Sequence, residues 1–302
     1  MKLLRKIRSN KYYIKQVFEL IDIISSTDSS VQKAYFYASK NDKAMPLVVH
    51  LHEWSCDYKI FLKRPQMGVL CKNAGYNYIF PDFRGSNNTP ESCMSEKAIS
   101  DIDDTIDFAI REGNVDKDNI VIIGVSGGGH AVLTMYLKSR HDIKYFSAWS
   151  PISDIEQWYY QTKHADLKYY KDIEKIAGNS QNIGEMRKRS PVYMDFAENI
   201  DRKNSKLEIY HGINDGYTGS VSTIHSLNFY NKVCKNAISH FEISEIVSRS
   251  IKYNSTELIG NRKLLYKKES KNIGLYIFNG THEMLVEYAF ERIRYFFSKG
   301  NL

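Results

Sequence analysis

The chain has 302 residues, 42% hydrophobic and 13% aromatic, enough to bury one large core in a single domain, 1–302. Its four cysteines, Cys56, Cys71, Cys93 and Cys234, lack C-x-x-C pairing, so neither a zinc site nor a disulfide framework is indicated and a reducing compartment is expected. The formal net charge of +7 draws partly on a basic N-terminal arm (Lys2, Arg5, Lys6, Arg8, Lys11, Lys15), but no apolar signal segment follows it, no stretch reaches membrane-spanning length, and no basic helix carries interleaved stacking aromatics. The expectations are a cytoplasmic location, no nucleic acid partner and no integral membrane association, with homo-oligomer formation left open.

Residues 17–25 and 31–38 read as antiparallel strands joined by a polar turn, and 47–52 reads as a third strand entered through Pro46. A helical pattern over 58–73 precedes a buried strand at 76–80 that ends at Pro81. Residues 95–111 form an amphipathic pattern, with Ile99, Ile102, Ile106 and Ile110 at helical spacing. A strand at 119–124 and a helix at 126–139 follow, then a strand at 145–149 and a helical, aromatic-rich stretch over about 153–200. Strands at 206–210 and 273–278 and a last helix from 283 to about 298 complete the pattern. An antiparallel entry followed by repeated βα units predicts an α/β fold. Its sheet is mostly parallel and twisted, of about eight strands, with helices on both faces. The 153–200 stretch is expected to form a small helical cap, and about 236–271 a further insertion.

Gly124-Val125-Ser126-Gly127-Gly128 sits between the apolar run 119–123 and the helical run 129–137. A G-x-S-x-G in strand, turn, helix context holds its serine on a sharp turn with the hydroxyl exposed above the carboxyl end of the strand. The flanking glycines leave room for crossing backbones, and the helix N-terminus aims peptide N–H groups, beginning with that of Gly127, at a developing oxyanion. A serine hydroxyl needs a base, and the base needs an orienting acid. Asp215 follows the strand at 206–210 and His282 follows the strand at 273–278, in the chain order Ser, acid, His. The loop after the third strand should supply the second oxyanion donor, for which the N–H of Trp54 is the first choice and that of Glu53 the second.

Rivals for these roles are weaker. His130 lies one turn down the serine helix and reads as a core or pocket-wall side chain. His50 and His52 share a strand face and mimic a metal pair, yet no second pair supports them, so no metal and no cofactor is expected. Asp154 comes one strand too early to serve as the acid.

Taken together, these blocks resemble the α/β-hydrolase superfamily, and within it the prolyl-oligopeptidase-like branch and its esterase relatives. The likeness rests on His52-Glu53-Trp54-Ser55, Pro81-Asp82-Phe83-Arg84-Gly85, the Ser126 pentapeptide, His211-Gly212-Ile213-Asn214-Asp215-Gly216 and Gly280-Thr281-His282-Glu283. It implies Ser126 as nucleophile, His282 as general base and acid, and Asp215 as the orienting carboxylate. Glu53 and Trp54 stand where many members carry glycine. An N-terminal propeller that would restrict access to short peptides is not expected, which favours a carboxylesterase removing a small, acetyl-type acyl group from a carbohydrate or small-molecule ester. The same triad serves an O-acyltransferase on a surface polysaccharide or a prolyl-oligopeptidase-like peptidase. Glu53, Asn87, Asn88, Trp149, Asp154 and Trp158 are the candidates for contacting that small-molecule or saccharide ester substrate.

Overall fold

The computed structural model describes residues 11–198, 200–235, 237–252 and 255–299. Lys2, Arg5, Lys6 and Arg8 of the basic arm lie outside them. A short helix, α1 (Lys11–Val17), enters β1 (Glu19–Ile24), which pairs antiparallel with β2 (Val31–Tyr37), Ile24 opposite Val31. The chain continues through β3 (Met45–Leu51), α2 (Gln66–Asn73), β4 (Asn77–Pro81), α3 (Glu96–Glu112), β5 (Val115–Val125), α4 (Gly127–Lys138) and β6 (Tyr145–Trp149). Three short helices are inserted before the next strand: α5 (Ile155–His164), α6 (Tyr169–Ala177) and α7 (Ile183–Lys188). Then come β7 (Lys206–Gly212), α8 (Ile224–Val233), α9 (His240–Val247), β8 (Leu258–Ile259), β9 (Arg262–Ser270), β10 (Ile273–Phe278) and α10 (Val286–Lys299).

The strands lie in the order β1-β2-β4-β3-β5-β6-β7-β10-β9-β8. The six from β4 to β10 in that order run parallel, and antiparallel strands close both edges. Side chains alternate between two helical layers, as the period of two demands. From β5, Ile120 and Ile122 pack in a core with Ile102 and Ile106 of α3 and Val132 and Leu133 of α4. Val121, Ile123 and Val125 point the other way, into a core with Met67 of α2 and Phe290 and Ile293 of α10. α3 is set by its isoleucine spacing and by Ser95, whose hydroxyl accepts from the N–H of Ala98 at the helix start.

Two details differ from expectation. Among the described residues the sheet has ten strands, where about eight were expected. Both additional strands fall within 236–271, read as an insertion, where β9 pairs antiparallel with β10 and β8 with β9. There Leu264 and Tyr266 are buried, while Lys263, Lys267 and Lys268 keep their charges partly or wholly in solvent, as an edge strand requires. The helix expected over 58–73 is a 3₁₀ turn (Tyr58–Leu62) followed by α2, because Pro65 has no N–H to carry the helix across. Among the described residues, the stretch expected as a helical cap, 153–200, holds three helices with their own small core. Among the described residues no helix is long and apolar enough to cross a membrane.

Candidate active site

β5 delivers Ser126 onto the expected turn with φ 60° and ψ −119°, a conformation that costs a non-glycine residue about 1–3 kcal/mol. Two bonds hold it there: its N–H donates to the Trp149 carbonyl and its carbonyl accepts from the His130 N–H, both at 2.9 Å. The glycines after it are required by close approach. A Cβ on Gly128 would strike the Leu51 carbonyl, and one on Gly127 would lie 2.5 Å from the Trp54 nitrogen. The first turn of α4 and the Trp54 peptide therefore stand side by side next to Ser126, which is the arrangement two backbone donors to one oxyanion need.

On the opposite side, His282 follows β10 and Asp215 follows β7, adjacent parallel strands paired Phe278 with Gly212. His282 Nδ1 donates to Asp215 Oδ2 at 2.6 Å, which leaves Nε2 as the ring's second functional atom. The Asp215 side chain is fully buried. Its Oδ1 accepts from the N–H groups of Gly216 (2.9 Å) and Val221 (3.1 Å), and His211 Nε2 lies 3.2 Å from Oδ2. Burial raises the carboxyl, but the hydrogen bonds of His211 and His282 outweigh it and hold Asp215 well below the usual carboxylate range. It is thus an anion at neutral pH. His211 is itself fixed, with Nδ1 2.7 Å from Ser226 Oγ and Nε2 3.0 Å from the Val221 carbonyl. Its place against the acid was missed from sequence, where its only signal was the four-residue spacing to Asp215.

Ser126 and His282 border one cavity of about 810 Å³. Ile60, Met67, Phe80 and Leu285 give it apolar lining, while Glu53, Lys63, Arg64 and Glu283 bring charge to it. Glu53 is paired with Arg64, and Glu283 with Arg262 at 3.0 Å. Trp54 borders the cavity with its indole buried towards the inserted helices.

Of the candidate substrate contacts, only Glu53 borders this space. Trp149 is core, stacked on Tyr210 at 4.2 Å with its Nε1 donating to Ser147 Oγ, because β6 runs through the middle of the sheet. Asp154 caps α5, accepting from the Gln157 N–H, and Trp158 is buried with its Nε1 donating to the Ser220 carbonyl at 2.7 Å. Asn87 is buried and its Oδ1 accepts from the Cys93 N–H at 2.9 Å, so it braces its own loop; neither it nor Asn88 borders the cavity. His130 is buried, donating from Nε2 to the Arg189 carbonyl at 2.7 Å. His50 bonds Tyr78 through Nδ1 at 2.9 Å, and His52 bonds the Glu53 carbonyl through Nδ1 at 3.0 Å. Among the described residues no group of three or more His, Cys, Asp or Glu side chains is placed to hold a metal ion.

A parallel sheet with a strained serine after β5, an acid after β7 and a histidine after the last strand defines an α/β-hydrolase. Residues 64–243 match the model of the prolyl oligopeptidase family, and the chain belongs to that family, one of serine hydrolases. No curated protein matches it by sequence. Among solved structures it is similar to the Pyrococcus horikoshii acylaminoacyl peptidase (TM-score 0.60, 17% identity), covering 96% of this chain and 42% of that one. A puromycin-hydrolyzing peptidase of Mycobacterium tuberculosis is also similar (TM-score 0.58, 13% identity), with 91% of this chain and 37% of that one covered. The esterase Pf2001 of Pyrococcus furiosus (TM-score 0.58, 15% identity) is matched over 93% of this chain and 92% of its own. The chain thus spans less than half the length of the two peptidases.

Proposed function

We propose that the protein is a carboxylesterase that removes a small, acetyl-type acyl group from a carbohydrate or small-molecule ester. One observation carries this reading: the strained Ser126 and the Asp215-bonded His282 open onto the same cavity. Ser126 Oγ attacks the ester carbonyl as His282 Nε2 takes its proton, and the oxyanion that forms is met by the N–H groups of Trp54 and Gly127. The imidazolium, steadied by the Asp215 anion, returns the proton to the departing alcohol. Water then attacks the acyl-enzyme with His282 again as base, releasing the acid and restoring Ser126. The reaction uses no cofactor.

The apolar lining at Ile60, Met67 and Leu285 suits an acyl group, and the charges at Glu53, Lys63 and Arg64 suit the hydroxyls of a sugar. Hydrolysis is favoured over transfer because the Arg64 side chain on the rim is 61% exposed, which leaves water a path to the acyl-enzyme. The near full-length match to an esterase supports the same choice. Cys56, Cys71, Cys93 and Cys234 are all free thiols, which supports a cytoplasmic location.

The test is stoichiometric labelling by a fluorophosphonate together with release of p-nitrophenol from p-nitrophenyl acetate. Ser126→Ala should abolish the label and lower kcat by about 10⁴-fold or more. Folded wild-type protein that takes no label would falsify the reading. Family membership favours one second reading, a peptidase, and faster turnover of an acetyl-amino-acid p-nitroanilide than of any acetyl ester would select it.

A further inference from the structure

Trp54 belongs to two parts of the molecule at once. Its peptide nitrogen lies in the loop after β3, against the Gly127 backbone. Its indole is buried in a different core, the one formed by the helices inserted between β6 and β7, with Ile155 and Trp158 of α5, Ile173 and Ile176 of α6 and Met186 of α7. The ring meets Trp158 edge-on with centroids 4.7 Å apart, and its Nε1 donates to Asp172 Oδ2 on α6 at 3.3 Å. On its other side Trp158 stacks on Tyr169 at 5.0 Å, and Tyr169 itself borders the cavity. The loop therefore has its main chain at the serine and its one large side chain clamped in the inserted helices. Ser55, the next residue, sits at φ 58°, so the chain turns sharply away directly after the clamped residue.

We infer that the inserted helices set the oxyanion geometry through this side chain, with Asp172 as the positioning residue that fixes the indole and thereby the Trp54 N–H. The inference rests on the reading of Ser126 as nucleophile and of Trp54 N–H as an oxyanion donor. The physical reason is rigidity. A loop peptide held only by its neighbours in the chain can rotate its N–H away, whereas an indole fixed at its ring face and at its Nε1 permits little rotation of the attached backbone. An oxyanion donor acts in the transition state, so loosening it lowers kcat and leaves substrate binding in place. Outright loss of such a donor costs about 10²–10³-fold, and displacing one without removing it should cost about tenfold. Any movement of α5 and α6, for example by a ligand seated against Tyr169, would reach the chemistry by the same route.

The experiment compares wild type, Asp172→Ala, Asp172→Asn, Trp54→Phe and the Asp172→Ala/Trp54→Phe double variant. It reads kcat and KM on p-nitrophenyl acetate, the rate of fluorophosphonate labelling, and the thermal midpoint as a check on folding. Asp172→Ala is expected to lower kcat and the labelling rate about tenfold with KM within twofold. Trp54→Phe, which keeps a ring in the core and removes the donor, should do the same. Because both variants cut one bond, the double variant should be no slower than either single one. Asp172→Asn keeps an acceptor oxygen and should recover most of the rate. Single variants with wild-type kcat, or losses that multiply in the double variant, overturn the inference while a labelled wild type leaves the nucleophile in place. If Asp172→Ala does not fold, the kcat of Trp54→Phe against that of Asp172→Asn decides. A wild type that neither labels nor turns over removes the reading of Ser126, and the inference with it.

Discussion

The two flanks of Ser126 are held in different ways. On the flank of the proposed base, His282 and Asp215 stand directly after two hydrogen-bonded parallel strands, and backbone N–H groups of Gly216 and Val221 grip the Asp215 carboxylate. On the flank of the proposed oxyanion donor, the loop after β3 leans on helices tied down by side chains: Trp54 to Asp172, Trp158 to the Ser220 carbonyl, and His225 to the start of α5. Strand register fixes the first arrangement, and it should yield only to changes at its own residues. The second is fixed by packing of an insertion, so changes remote from Ser126 should disturb it.

The sharpest break on the first flank is Asp215→Asn. It keeps the shape and removes the anion that holds the His282 tautomer, so kcat should fall about 10⁴-fold in protein that still folds. A loss under tenfold on p-nitrophenyl acetate would mean that the acid is not what orients His282. On the second flank, Trp158→Ala should leave a cavity among Trp54, Tyr169 and Ile173 and strand the Ser220 carbonyl, at a cost of about 3–5 kcal/mol. Urea unfolding checks this, and a loss below about 1 kcal/mol would show that the inserted helices do not pack as a unit.

The contrast between flanks also governs what was legible in the sequence. Ser126 and His282 each follow a nearly continuous apolar run and Asp215 a strand broken only by Glu208, and a strand end is a local signal that needs no knowledge of the partner strand. The helix break at Pro65 was legible in the same way but was read through, because apolar spacing on both sides of it suggested one helix. β9 hid behind its lysines, since a strand with one face in water and an edge position carries charge that mimics a loop. The aromatic residues of 149–170 went wrong for a different reason. Periodicity places Trp149 and Trp158 on an apolar face but says nothing of whether that face meets a ligand or another helix, and here they are fully buried. The ties between Trp54 and Asp172, and between His211 and Asp215, exist only in three dimensions.

The smallest expected effect comes from acid. His225, buried on α8, accepts through Nδ1 from the N–H groups of Ser153 and Asp154, each at 3.3 Å, and bonds Gln161 through Nε2 at 3.0 Å. Burial, reinforced by the neighbouring His211 and His130 and opposed by Asp215, pushes it down to about 3. Burial likewise pushes His130 down to about 4. In the unfolded chain both titrate near 6.5. Between those values the unfolded chain binds more protons than the folded one, so their contribution is complete above about pH 6.5 and is lost as pH falls towards about 4 for His130 and about 3 for His225. Each histidine should cost about 2 kcal/mol of stability by pH 5. Asp215 follows the same sign at lower pH: held ionised well below the usual carboxylate range, it keeps its contribution throughout that window and loses it only in stronger acid. His50, pushed down to about 3 beneath the cavity, follows the same sign as His225, so the wild-type loss alone does not single out the inserted helices. The variant His225→Gln does. It retains an uncharged amide at that position and should remove about 2 kcal/mol of the change between pH 7.5 and pH 5, read from urea midpoints at each pH. A pH dependence unchanged by His225→Gln would show that protonation of His225 is not what loosens the start of α5.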